Sequence, residues 1–152
     1  MKRLRIYIAV LSEVPGAGNG KKIIDEDNTM YYSGDEGSSN KYEVGVILNT
    51  KRLNTTVSFV PKSNQTILFQ IEAKPSNFNI TKEYAPTTYG SDQDITNIYK
   101  EVDELLQVTQ NRELNLVMDD FNAKVGQGEI PGVAGKFGLG ARNERGDTLI
   151  KF

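Results

Sequence analysis

Residues 114–122 read LNLVMDDFN. Leu114–Met118 is a short apolar run of strand type, and it delivers Asp119, Asp120, Phe121 and Asn122 to its carboxyl end, where rigid scaffolds present functional groups. Upstream, Ser91 opens a capping-box pattern, S-D-Q-D, with Asp92 and Asp94 suited to the positive end of a helix dipole. Ile95, Ile98, Tyr99, Val102, Leu105 and Leu106 follow at helical spacing, so 92–109 is predicted to be a helix with one apolar stripe that packs on a sheet. Before it, 43–48, 55–60, 66–72 and 78–84 are rich in Val, Ile, Phe and Thr at short spacing, which predicts successive antiparallel strands forming a meander.

The run Leu4 to Leu11 is apolar enough for a central strand buried on both faces. GAGNG at 16–20 breaks it, and the polar stretch 25–40 reads as a loop around one short strand at 29–32. Downstream of the opening strand, 126–140 holds six glycines and a proline and is loop. Asn143 is placed to cap a last helix carrying Leu149, Ile150 and Phe152. Strands mixed with a few helices point to an α/β or α+β layered sandwich in one domain, 1–152.

The composition excludes several kinds of chemistry. The net charge of −2 creates no basic field over the whole chain, so any nucleic-acid contact must be a local patch. There are no cysteines, which removes disulfides, thiolate metal sites and a thiol nucleophile, and fits an intracellular protein. The start of the chain, Lys-Arg before an apolar run, is poor as a signal peptide because the run alternates and no small-residue cleavage site follows. No stretch reaches membrane-spanning length, so no membrane partner is expected. Sequons at Asn54, Asn64 and Asn79 are then chance. The chain has no histidine, so a hydrolytic mechanism must run on carboxylates, a hard cation and water.

Glu13, Asp120 and Asn122 each follow a predicted strand. Two carboxylates and an amide oxygen are ligand types that suit Mg²⁺. On spacing alone such groups are more often turn formers and caps. The glycines of GLGARN do not make a dinucleotide loop, because the third glycine and the preceding strand are missing.

Taken together, LSE at 11–13, YAPT at 84–87, DFNA at 120–123 and G-x-x-N-x-x-G at 140–146 resemble the ordered motifs of the endonuclease/exonuclease/phosphatase superfamily. Within it, the whole chain resembles the nuclease domain of RTE-type LINE retrotransposons and the craniofacial development protein 2-like proteins. The resemblance implies a DNase-I-like fold, with this chain a fragment of the four-layer β-sandwich flanked by helices. It also implies DNA as partner, Mg²⁺ or Mn²⁺ as cofactor, and a nuclear location. By the same resemblance Glu13 is the metal-binding glutamate, and Asp120 orients the attacking water. Asn122 hydrogen-bonds the scissile phosphate, Tyr84 lies near the developing oxyanion, and Asn143 sits at the substrate-binding rim.

The chain departs from the family pattern in several places. The family domain is longer at both ends, opening with a strand that carries an active-site asparagine and closing with an Asp-His pair, so a single partial domain is expected, with a sheet face left uncovered. The loop after Glu13 is two residues shorter than L-S-E-V-R-W-P-G. Asp119 replaces a glycine, which either crowds Asp120 with like charge or points away by strand alternation. Thr81 and Glu83 replace apolar residues, and a carboxylate there is costly to bury unpaired. Two readings follow: a Mg²⁺-dependent DNA endonuclease, impaired in this chain, or a non-catalytic remnant that acts as a binding or scaffold protein.

Overall fold

The structure, a computed structural model, describes residues 6–14, 18–34, 44–53, 55, 57–84 and 91–152. In chain order its elements are β1 (Ile8–Ser12), β2 (Gly20–Ile23), β3 (Asn28–Ser33), β4 (Val44–Asn49), the one-turn α1 (Thr50–Leu53), β5 (Val57–Pro61), β6 (Thr66–Ile71), β7 (Phe78–Tyr84), α2 (Asp92–Leu106), β8 (Leu114–Asp120) and α3 (Glu144–Lys151). They make two four-stranded sheets, ordered β1-β4-β3-β2 and β5-β6-β7-β8. The first is antiparallel throughout. In the second only β7 and β8 run parallel, joined through α2, because parallel neighbours need a long crossover and a helix supplies it.

The sheets face each other, and strand alternation decides which side chains meet. Val44, Val46 and Leu48 of β4 pack against Ile67, Phe69 and Ile71 of β6 and Ile80 and Tyr84 of β7. Tyr31 of β3 lies 5.6 Å from the rings of both Phe59 and Phe69, tying the sheets with an aromatic triad. The opposite face of the second sheet carries Leu68 and is covered by α2, whose Ile95, Ile98, Val102 and Leu105 are buried. Ser91 caps α2 with a complete capping box: its hydroxyl accepts from Asp94 N–H while the Asp94 carboxylate accepts from Ser91 N–H. Phe152, just past α3, stacks on Tyr99 of α2 at 4.8 Å.

Several expectations are corrected. The predicted central strand at 4–11 begins at Ile8 and is an edge strand, its residues half-buried, because its only neighbour among the described residues is β4. Residues 4 and 5 lie outside the described set, as do 15–17, 35–43 and 85–90 with parts of the LSEVPG and YAPT motifs. The meander divides: β4 joins the first sheet between β1 and β3, and only β5, β6 and β7 form a run of antiparallel neighbours. The strand β2 and the turn α1 carried no clear sequence signal. The predicted helix 92–109 stops at Leu106. The expected α/β layering holds: two sheets face each other, and α2 covers β6 and β7.

Because β4 packs over β6 and β7 while β3 packs over β5, the edge strands β1 and β8 lie on the same side of the sandwich. There Leu114, Leu116 and Met118, on the same face as Phe78 and Ile80, are exposed. These exposed apolar residues belong to the second sheet, whereas the face expected to be uncovered was one of the first.

Beneath α2 the second sheet buries charge. Asp119 points away from Asp120 and forms a buried ion pair with Lys82 at 3.0 Å. Glu83, directly opposite Asp119, is 1% exposed, and neither carboxylate oxygen has a hydrogen-bond partner among the described residues. Burial, then the charges of Asp119 and Glu101, outweigh Lys82 and push its carboxyl up to about 8. The raised folded value means that the protonated form is favoured by folding. Stability from Glu83 is therefore complete below its ordinary value of 4.5 and is lost as pH rises through about 8. Glu83→Gln is expected to stabilise the protein by on the order of a few kcal/mol at pH 8.5, and by little at pH 4, in urea melts across pH. An equal effect at both pH values would refute a neutral Glu83.

Candidate functional site

Tyr84 and Asp120 end the parallel neighbours β7 and β8 and are register partners, so the two side chains stand next to each other on the sandwich face. Glu13 arrives from the other sheet. It follows the last residue of β1 in a left-handed turn with φ 57°, a conformation unusual for a non-glycine residue. The turn is seated by the next side chain: Val14 is buried against Gly45 of β4, where an added Cβ would lie 3.1 Å from Val14 Cγ2 and 3.2 Å from the Tyr31 carbonyl oxygen. With Val14 turned inward, the Glu13 carboxylate is exposed, and its Oε1 accepts a 2.8 Å hydrogen bond from the buried Tyr84 hydroxyl. This bond spans 71 residues and closes the gap between the sheets at this end.

Asn122 also has a left-handed backbone, φ 46°. Its N–H donates to Asp120 Oδ1 at 3.2 Å, an Asx turn that sets Asp120 and Asn122 side by side. Two non-glycine residues in this region, both at expected site positions, fit strain held at a functional site. Asn143 takes a different place. As N-cap of α3, its side-chain oxygen accepts from Gly146 N–H at 2.9 Å and from Lys124 N–H at 3.0 Å, so it fastens the strand exit of β8 to α3.

Glu13, Tyr84, Asp120 and Asn122 thus share one end of the sandwich, and Asn143 anchors the loop behind them. Among the described residues no group of three or more His, Cys, Asp or Glu side chains is arranged to hold a metal ion. A cavity of about 330 Å³ opens at the opposite end, lined by Gln70, Glu72, Asn77 and Glu113 among others, and holds none of these residues. Sequence reasoning missed Lys82, whose ammonium neutralises Asp119. The signal available was a lysine inside an otherwise buried strand pattern.

No family model matches the chain. Over all 152 residues it is 34% identical to craniofacial development protein 2 of Bos taurus and 34% identical to that of Tragulus javanicus. It spans about a quarter of the length of these curated relatives, 25% and 26%. Among solved structures it is similar to the endonuclease domain of TRAS1, a telomere-specific non-LTR retrotransposon, with a TM-score of 0.64 and 11% identity, over 99% of this chain and 58% of that one. At that identity the likeness is one of fold. The chain is thus similar in sequence to a quarter of craniofacial development protein 2, and it has the DNase-I-like fold.

Tyr84→Phe keeps the packed ring and removes the bond to Glu13, so the thermal midpoint should fall by no more than about 1 kcal/mol in equivalent stability. Asn143→Ala strips two backbone N–H groups of their acceptor and should cost more, about 1–2 kcal/mol. The reverse order in a thermal melt series would show that Asn143 is not the fastening described.

Proposed function

We propose that this end of the sandwich is a phosphodiester-hydrolysing site of a metal-dependent DNA endonuclease, reduced in rate in this chain. The observation that carries the reading is the Tyr84–Glu13 hydrogen bond at the strand end where Tyr84 is the register partner of Asp120, which brings two carboxylates and a phenol to one end of the sandwich. The chemistry of the donors fits Mg²⁺ or Mn²⁺: Glu13 is exposed and has Oε1 engaged by Tyr84, which leaves Oε2 for a hard cation that keeps most of its waters. When bound, such a cation supplies charge stabilisation at a phosphoryl oxygen.

The chain's own residues then have distinct tasks. Asp120 orients a water in line with the phosphorus; as the new P–O bond forms and the bridging P–O bond breaks, the water gives its proton to solvent and the leaving oxygen takes one from solvent, because the chain has no histidine for either transfer. The Asn122 amide, held by its left-handed turn, donates to a non-bridging oxygen, where negative charge grows in the transition state. Tyr84 holds Glu13 and stands near the same oxygen. Asn143 contributes to the rim by fixing the loop behind Asp120. With DNA as the substrate, the chain would act in the nucleus.

An alternative reading is a non-catalytic remnant that acts as a binding or scaffold protein. The absence of histidine among the 152 residues and the exposed apolar residues of β8 favour it. A missing general acid or base typically costs about 10²–10⁴-fold in rate.

Nicking of supercoiled plasmid by an excess of the folded chain with Mg²⁺ or Mn²⁺ decides between them. Slow nicking that vanishes in Asp120→Ala and falls at least about ten-fold in Asn122→Ala is expected. No nicking with either metal, or nicking that survives Asp120→Ala, would overturn the catalytic reading.

A further inference from the structure

The loop between β8 and α3 is long, glycine-rich and tightly built. At its neck the Gly138 and Gly126 backbones touch, so that a Cβ on Gly138 would lie 2.0 Å from the Gly126 carbonyl oxygen, and one on Gly126 2.6 Å from Arg142 N. Gln127 N–H bonds the Gly140 carbonyl at 3.0 Å, Arg142 Nε–H bonds the Val125 carbonyl at 2.8 Å, and Asn143 N–H bonds the Lys124 carbonyl at 3.1 Å. At the tip, Ile130 and Ala134 form a bridge with Gly132 at φ 77° between them. The backbone is therefore well tied. Loops of this closed shape usually pack their own side chains inside. This one does the opposite: Phe137 and Leu139 are each 86% exposed and Val133 60%.

Three apolar side chains held outward on a tied loop have a cost in water that a bound partner would remove. The charge around them indicates which partner. Within residues 127–142 the charged side chains are Lys136 and Arg142 against Glu129, a positive balance in a chain that is net −2. Lys136 Nζ lies 5.2 Å from the Phe137 ring centroid, so an ammonium and an aromatic face are presented together. The loop also starts from the strand end that carries Asp120 and Asn122.

We propose that the loop 127–142 is a DNA-contacting arm: Phe137 and Leu139 enter a groove of duplex DNA as an apolar wedge against the bases, while Lys136 meets an adjacent phosphate. Apolar wedges beside cationic contacts are an established way of gripping and kinking a duplex, and aromatic side chains add stacking on a base. The inference rests on the reading of the neighbouring site as one that acts on DNA. It adds the element that would hold the duplex there.

The test is binding rather than cleavage, using a short fluorescein-labelled duplex carrying 2-aminopurine, in EDTA so that no hydrolysis occurs. The chain should bind it, with a rise in 2-aminopurine emission as a step unstacks. Phe137→Ser/Leu139→Ser should weaken binding about ten-fold and lose the emission change. Lys136→Gln should lower the slope of log affinity against log salt by about one. All the altered loop side chains are on the surface, and an unchanged thermal melt confirms the fold. Equal binding by the double variant, with an unchanged salt slope for Lys136→Gln, overturns the arm while leaving the site reading intact. Duplex binding that depends on the loop, from a chain that does not nick plasmid, supports the arm and removes only the catalytic claim. No duplex binding by the parent chain overturns the arm and the DNA substrate together. A double variant whose main change is in oligomeric state, seen by light scattering, overturns the arm in favour of a protein interface.

Discussion

Strand β7 is buried on both faces, and that constraint organises the rest of the molecule. Its sequence, FNITKEY, has apolar Phe78, Ile80 and Tyr84 for the sheet-on-sheet core but polar Asn79, Thr81 and Glu83 for the face beneath α2. Buried polar groups require partners. Asn79 finds Glu113 and Asn115 on β8, and Lys82 finds Asp119 on the same strand. The parallel pairing of β7 with β8 is thus specified by polar contacts as well as by the ladder. Glu83 is the one member whose carboxylate oxygens stay without hydrogen bonds among the described residues, and it is neutral near pH 7 because its neighbours Asp119 and Glu101 add negative potential to its burial.

The same strand carries Tyr84 of the proposed site. Buried Tyr84 extends the apolar core to the rim, where its hydroxyl reaches Glu13 across the two sheets, so the packing that stabilises the sandwich also positions the carboxylate. Val14 against Gly45 and the Asx turn at Asp120 complete this link from packing to site. Left-handed backbone at both Glu13 and Asn122 persists because the surrounding contacts hold it. A departure that threatened the site in the sequence, Asp119 beside Asp120, is neutralised by strand alternation: adjacent residues face opposite sides, and buried Lys82 takes the charge of Asp119.

The two regions exposed to other molecules differ in kind. On the β1 and β8 side the exposed apolar residues lie on β8, an edge strand among the described residues. On the loop before α3 they stand alone on a backbone already satisfied by its own neck. The first surface suits extension of the sandwich and the second suits insertion into a partner. Likeness over a quarter of longer craniofacial development proteins and over 58% of an endonuclease domain is compatible with both.

The sequence by itself determined what depends on near neighbours. Period-two runs placed β6, β7 and β8 to within a residue or two, S-x-x-D placed the start of α2, and Asn143 its cap on α3. The ordered motifs nominated Glu13, Tyr84, Asp120 and Asn122, and the unpaired burial of Glu83 was legible from a carboxylate inside an apolar pattern. What only the tertiary structure decided is which distant groups meet. An apolar run carries no mark of whether it will be central or an edge, so β1 was misplaced, and β4 was assigned to the wrong set of neighbours. The Lys82–Asp119 pair and the Tyr84–Glu13 bond depend on two sheets closing over residues far apart in the chain. Local periodicity reports which face of an element is apolar, whereas pairing is chosen by the packing of the whole.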